Sequence, residues 1–195
     1  FDGSTDTEKG TFTSTKVAPV FSRTFPEVLK GIRMTDATRI LQLNNEPVNE
    51  SGFMFADSSF FDAFYYEMLQ GNPATALDGK NKVVLTESMA NKYFPKESAL
   101  GKILEVGPEK TPYEITGVIR DYRYTSQMRF DFLASFSSMG QNQEESYFNA
   151  NYTTYLLLTD ENAFASLQEK ITPFMEKEMK GSGARINFSL EHFDQ

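Results

Sequence analysis

Between residues 55 and 106 the chain reads FADSSFFDAFYYEMLQGNPATALDGKNKVVLTESMANKYFPKESALGKILEV, a run whose punctuation leaves little freedom in the order of its elements. Helix, strand, helix and strand signals follow one another, each with its own stop. Ser58 or Ser59 can cap a helix whose apolar positions Phe60, Phe61, Phe64, Tyr65, Met68 and Leu69 form one aromatic face, with Gly71 as its left-handed stop. Helical spacing makes that face a packing surface in preference to a ligand-binding patch. Residues 82–85 are a short β-branched strand ending at Leu85, Thr86 caps a helix carrying Met89 and Tyr93, and Pro95 ends it. Residues 103–106 and 113–119 are two strands joined through Gly107 and Pro108, the pattern of a hairpin. The middle third is thus a compact α/β module.

The flanks carry simpler signals. The first fifteen residues, rich in Gly, Thr, Ser and Asp, read as loop, or as an edge strand around 11–17. A short helix is expected over 19–25, with Val20, Phe21 and Phe25 on one side and Pro26 as its stop. A strand-like stretch over 31–43 follows, with Ile32, Met34, Ile40 and Leu43 as its apolar candidates. The last third reads as a strand over 152–158, a helix from Asn162 to about Met179, and a strand over 185–193. That helix places Phe164, Leu167, Ile171, Phe174 or Met175, and Met179 at spacings of three and four, with Thr159 or Asp160 as cap and Gly181 beyond its end. Pro173 lies inside it and should kink or divide it. The closing strand alternates Ile186, Phe188, Leu190 and His192 with Asn187, Ser189 and Glu191. Residues 137–151, with Glu144 and Glu145, form a polar loop.

A βαβ unit in the last third needs sheet partners, and the helix and strand of the first fifty residues are its available complement. The fold class is therefore mixed α/β, or α+β, with a split βαβ unit and a small α/β insertion. The halves of the split unit take residues 1–57 and 125–195, and the insertion takes 58–124, with boundaries near Asp57 and Tyr124.

Chemistry is sparse. At 195 residues with no Cys, the chain needs no disulfides to build a core, and its 14% aromatic content supplies large side chains for one. His192 is the only histidine, which leaves no Cys/His metal set, no thiol nucleophile and no spare base for a Ser-His-Asp triad. It reads as a packed or half-buried imidazole on a strand face. The acids Asp160 and Glu161 suit a helix start, Glu176 and Glu178 a solvated helix end, and none forms a motif for paired-carboxylate catalysis. Gly101-Lys102 lacks the glycine frame and the following Ser or Thr of a P-loop. A formal net charge of −8 argues against nucleic acid as a partner, since such binding draws on Lys and Arg meeting phosphates. No apolar run approaches the roughly 20 residues a membrane helix needs. The start at Phe1 reads as that of a piece cut from a longer chain.

The order Asp-x-x-Phe-Phe (Asp57, Phe60, Phe61), Leu-x-Gly-Asn-Pro (Leu69 to Pro73), Val-Val-Leu-Thr-Glu-Ser (Val83 to Ser88, with Leu85, Thr86 and Glu87), Lys-Tyr-Phe (Lys92, Tyr93, Phe94) and Leu-Gly-Lys (Leu100, Gly101, Lys102) resembles the MacB-type periplasmic core domain. YEITGVIRD, with Gly117, and MRFDFLASF, with Phe130 and Phe132, extend the likeness. The matching positions, Gly71 among them, are structural ones in this reading. The resemblance implies a porter-like subdomain made from both ends of the chain and an inserted subdomain, called Sabre in that family. It also implies the extracytoplasmic part of an FtsX-like ABC transporter permease, on the periplasmic side of the bacterial inner membrane and flanked by membrane helices. Such a domain is non-catalytic and has no cofactor. ATP hydrolysis would occur in a separate cytoplasmic domain or subunit, the permease would be dimeric, and a periplasmic protein or an exported substrate would be its outside contact. A small-molecule sensor of α/β type is the alternative, and a hydrolase whose carboxylates meet only in the fold is a third reading.

Overall fold

A computed structural model of the chain describes residues 12–43, 45–122, 128–140 and 146–193. The elements, in order, are α1 (Val17–Thr24), β1 (Val28–Leu43), β2 (Glu46–Ala56), α2 (Phe60–Ala63), β3 (Met68–Gly71), β4 (Lys82–Thr86) and α3 (Glu87–Tyr93). They continue with β5 (Ile103–Val106), β6 (Thr111–Ile119), β7 (Phe132–Ser135), a 3-10 turn (Phe136–Met139), β8 (Thr153–Leu158) and α4 (Ala163–Glu178). The fold is mixed α+β. All the strands join one eight-stranded sheet.

That sheet closes on itself. β1 pairs with β2, β2 runs parallel to β7, β7 pairs with β4, β4 runs parallel to β6, and β6 pairs with β5. β5 then returns to β1 through Leu41 and Val106, where the Gly107 N–H also donates to the Ile40 carbonyl at 2.7 Å. Alternation along each strand sends one set of side chains into the ring and the next outside it. Leu41, Phe53, Phe55, Val83, Leu85, Leu104, Val106, Tyr113, Ile115, Phe132 and Ala134 fill the interior. Phe53 and Phe132 stack there with centroids 5.7 Å apart.

The sixteen residues of β1 outrun the ring. Their first half leaves it to pair with β8, from Val28↔Leu158 to Met34↔Thr153. One face of this extension carries α1 and α4, whose Val17, Phe21, Leu167, Ile171 and Met175 pack with Leu156 and Leu158 of β8. The other face carries Phe60, Phe64 and Phe130, packed with Met34 and Tyr155. Each buried Phe contributes roughly 1.5–3 kcal/mol of transfer free energy.

Four elements depart from the sequence expectation. The helix expected from Ser58 or Ser59 to Leu69 stops after one turn, at Ala63, and Gly71 closes a strand instead. Phe64 is already extended, and from there Phe64, Tyr66 and Met68 point inward while Tyr65 is 85% exposed, so a period of two overrides the helical spacing. β2 was not anticipated, because its first half carries Glu46, Asn49, Glu50 and Ser51 where an apolar run would have marked a strand. Pro173 neither divides nor ends α4; it sits on the exposed face, and the Glu169 carbonyl that loses its donor is also at the surface. Residues 185–193 are extended but form no ladder, because α4 rather than a strand lies beside them. The expected caps at Thr86 and Asp160 form, with Thr86 Oγ1 accepting from the Met89 N–H at 3.4 Å and Asp160 Oδ1 from the Ala163 N–H at 3.2 Å. Ser59, by contrast, makes no capping bond and donates to the Gly31 carbonyl. β5 and β6 pair antiparallel, as expected of a hairpin. Glu144, Glu145 and the boundary at Tyr124 lie outside the described residues.

Candidate functional site

The residues of the motif do not converge on one point; they fix corners of the fold. Asp57, just past β2, accepts from Arg33 of β1 at both carboxylate oxygens, and Arg33 also lies 4.4 Å from the Phe136 ring centroid. Phe60 is fully buried and meets Phe61, Phe64 and Phe130 at centroid distances of 5.1, 4.9 and 5.8 Å. Phe130 is clasped by Tyr122, whose hydroxyl accepts from its N–H and donates to its carbonyl. Gly71 sits at φ 95°, and a Cβ there would come within 2.3 Å of the Thr116 carbonyl oxygen. Gly117 leaves room in the same way for the Met68 sulfur.

Leu85 and Phe132 are buried side by side in the ring. Glu87 stands in the first turn of α3, where the helix N-terminus favours an acid. Gly101, at φ 78°, bonds the Ile115 carbonyl at 2.8 Å, and Lys102 pairs with Glu97 at 2.5 Å. Phe94 packs on the ring core.

One polar cluster does form, between α3, β2 and the start of β7. Glu50 is 8% exposed, and its Oε1 accepts from Lys92 Nζ and from the Tyr93 hydroxyl, each at 2.6 Å. Asp131 is tied to the same strand, since its N–H donates to the Gly52 carbonyl at 2.7 Å and its Oδ2 lies 2.5 Å from where a Cβ on Gly52 would be. Burial first, and then the Glu50 charge, pushes the Asp131 carboxyl above the usual range, against the pull of Lys92. Burial and the bond to Glu50 likewise push the Tyr93 phenol well above its ordinary value, so it stays a neutral donor. This arrangement binds a helix to the ring wall. Tyr93 was legible from the motif, whereas Glu50 and Asp131 carried no pattern that would have singled them out.

A second polar pin sits at the α1–β1 corner, where Glu27 accepts from Ser166 at 2.7 Å and from Lys170. Those two bonds, Lys170 first, hold its carboxyl down at about 2. His192 is exposed and lies flat on Phe164, with centroids 4.1 Å apart, where a packed or half-buried imidazole was expected. Among the described residues, no group of three or more His, Cys, Asp or Glu could hold a metal ion. Nor is any helix among them long and apolar enough to cross a membrane.

The family described as MacB-like periplasmic core domain matches residues 3–174. A domain of a Porphyromonas gingivalis protein described as a permease superposes with a TM-score of 0.73 at 25% identity, covering 89% of this chain and 81% of that one. The periplasmic region of MacB from Actinobacillus actinomycetemcomitans gives a TM-score of 0.61 at 18% identity, over 83% of this chain and 72% of that one. The extracellular domain of the ABC-type transporter YknZ from Gram-positive bacteria gives 0.59 at 17% identity, over 86% and 84%. Among curated protein sequences none matches significantly.

Proposed function

The chain belongs to the MacB-like periplasmic core domain family, and on that footing we propose that it relays ATP-driven conformational change to a substrate or partner outside the membrane. It is a periplasmic domain of the MacB/FtsX-like ABC transporter permeases, and domains of this kind are non-catalytic. Hydrolysis takes place in a separate cytoplasmic ATPase, membrane helices of the parent permease deliver the displacement, and two permease copies act together. Division of the chain at residues 57 and 124 into a split porter-like unit and an inserted Sabre-like unit belongs to this proposal, with β2 and β7 of the flanks shared between them.

One observation carries the reading. The core around α1 and α4 draws on residues 17–28 and 147–190, the buried core of the ring draws on residues 41–136, and β1 runs past both, with a bulge in its pairing with β2 between Ala37 and Arg39. Two packed bodies that share β1 and meet at the core around Phe60 suit rigid-body transmission, because close-packed cores move as units and do not deform continuously. In the full permease, a nucleotide-dependent change in the distance between α4 and the β5–β6 turn tests it.

A further inference from the structure

We propose that residues 184–193 are a detachable latch that clips the two faces of the β1/β8 sheet together. After α4 the chain turns back through Gly181 at φ 87° and Gly183 at φ 76°, and a Cβ on either would have no neighbour within 4 Å. It then runs antiparallel to the helix. Asn187 Nδ2 donates to Thr172 Oγ1 at 2.8 Å, Gln168 Nε2 donates to the Phe188 carbonyl at 3.3 Å, and the Leu190 N–H donates to Gln168 Oε1 at 2.6 Å. His192 ends this run on the ring of Phe164.

Ile186, Phe188 and Leu190 pack into the core under α1 and α4, where Phe188 meets Phe21 edge-on at 5.9 Å. Phe193 belongs to the opposite face. It meets Tyr155 at 5.0 Å and Phe64 at 5.8 Å, while Leu156, the next residue of β8, faces the helices. The segment therefore passes from one face of the sheet to the other at its terminal strand.

Among the described residues, no main-chain to main-chain hydrogen bond holds 184–193; the side-chain amide of Gln168 stands where a ladder would be. A segment held by side-chain burial and a few hydrogen bonds, on a glycine-bearing root, opens at lower cost than strands bonded on both sides. Opening withdraws Phe193 from Tyr155 and Phe64 and uncovers the apolar face between α1 and α4 in one movement. Only the source of a pull on the latch in the full permease would rest on the relay reading.

The chain has no Cys, so a T172C/N187C disulfide is a clean lock. Chymotrypsin cleavage after Phe188 reports latch opening, and cleavage after Phe132, inside the ring, reports global unfolding. Cleavage after Phe188 is expected to be nearly independent of urea below the unfolding transition and to slow by about tenfold or more when the disulfide forms, recovering with reductant. Gln168→Ala should speed it roughly tenfold through the loss of two hydrogen bonds, leaving cleavage after Phe132 unchanged. Cleavage at both sites with one common urea dependence would overturn the latch, as would indifference of the Phe188 site to the disulfide. The oxidised and reduced forms of one variant decide this even if Gln168→Ala fails to fold. Either result leaves the permease reading to its own test.

Discussion

Arg33 and Asp57 form a fork-to-fork pair between β1 and the end of β2, with Nε donating to Oδ2 and Nη2 to Oδ1, each at 2.8 Å. The Arg33 main-chain N–H adds a third bond of 2.8 Å to Oδ2, and both side chains are largely covered. Removing one charge from such a pair costs up to about 3–5 kcal/mol when it is buried, and here the Thr15 carbonyl and the Phe136 ring, which also hold the Arg33 guanidinium, offset part of that. Asp57→Ala and Arg33→Met should each lower the urea midpoint, and the double variant R33M/D57A should lose less than the sum of the two, because both single changes break the same pair. Strictly additive losses would show that the pair does not act as a unit.

Phe60 and Phe61 are adjacent in the motif and unequal in the fold. Phe60 is fully buried among aromatic rings and Phe61 only partly so. Phe60→Ala should cost about 3–5 kcal/mol and Phe61→Ala less than half of that, as measured by chemical denaturation.

Gly71 and Gly79 have similar backbone angles, φ 95° and 88°, but only Gly71 has a carbonyl oxygen in the place of a Cβ. Gly79→Ala should cost about 1 kcal/mol, the strain of the left-handed backbone alone. Gly71→Ala adds a clash with Thr116 and should cost clearly more, or displace β3 from β6, which the backbone amide shifts would report.

Glu27 makes stability depend on acid. Its carboxyl, held at about 2 by Lys170 and Ser166, has an ordinary value of 4.5, so its contribution is complete above about 4.5 and is lost as the pH falls toward 2. The difference in urea midpoint between the parent chain and Glu27→Gln should therefore shrink between pH 6 and pH 3. A difference that stays constant across that range would remove Glu27 as the cause.

Local punctuation was legible wherever one residue decides a conformation: Thr86 capping α3, Gly107 and Pro108 turning β5 into β6, and Gly181 closing off α4. The aromatic run after Phe60 is ambiguous in sequence, because Phe60, Phe61, Phe64, Tyr65 and Met68 fit a helix while Phe64, Tyr66 and Met68 fit a strand; only pairing with β6 decides between them. Residues 185–193 have clean strand alternation, yet the side-chain amide of Gln168 occupies the place of a neighbouring strand. Closure of the sheet was not legible, since β2–β7 and β4–β7 are long-range pairings with no local signature. The Glu50 cluster stayed hidden for the same reason: Glu50, Lys92 and Asp131 are far apart in sequence and meet only when the ring forms.

The most direct measurement of the relay places spin labels at Glu109, in the exposed β5–β6 turn, and at Glu169, on the exposed face of α4, within the full-length permease. The distance between them is then compared with the ATPase trapped in its ATP-bound state and with it nucleotide-free. The account expects the distance distribution to shift as one population between the two states, as two rigid bodies joined by β1 would move. The same distribution in both states, in a permease shown to hydrolyse ATP, would contradict it.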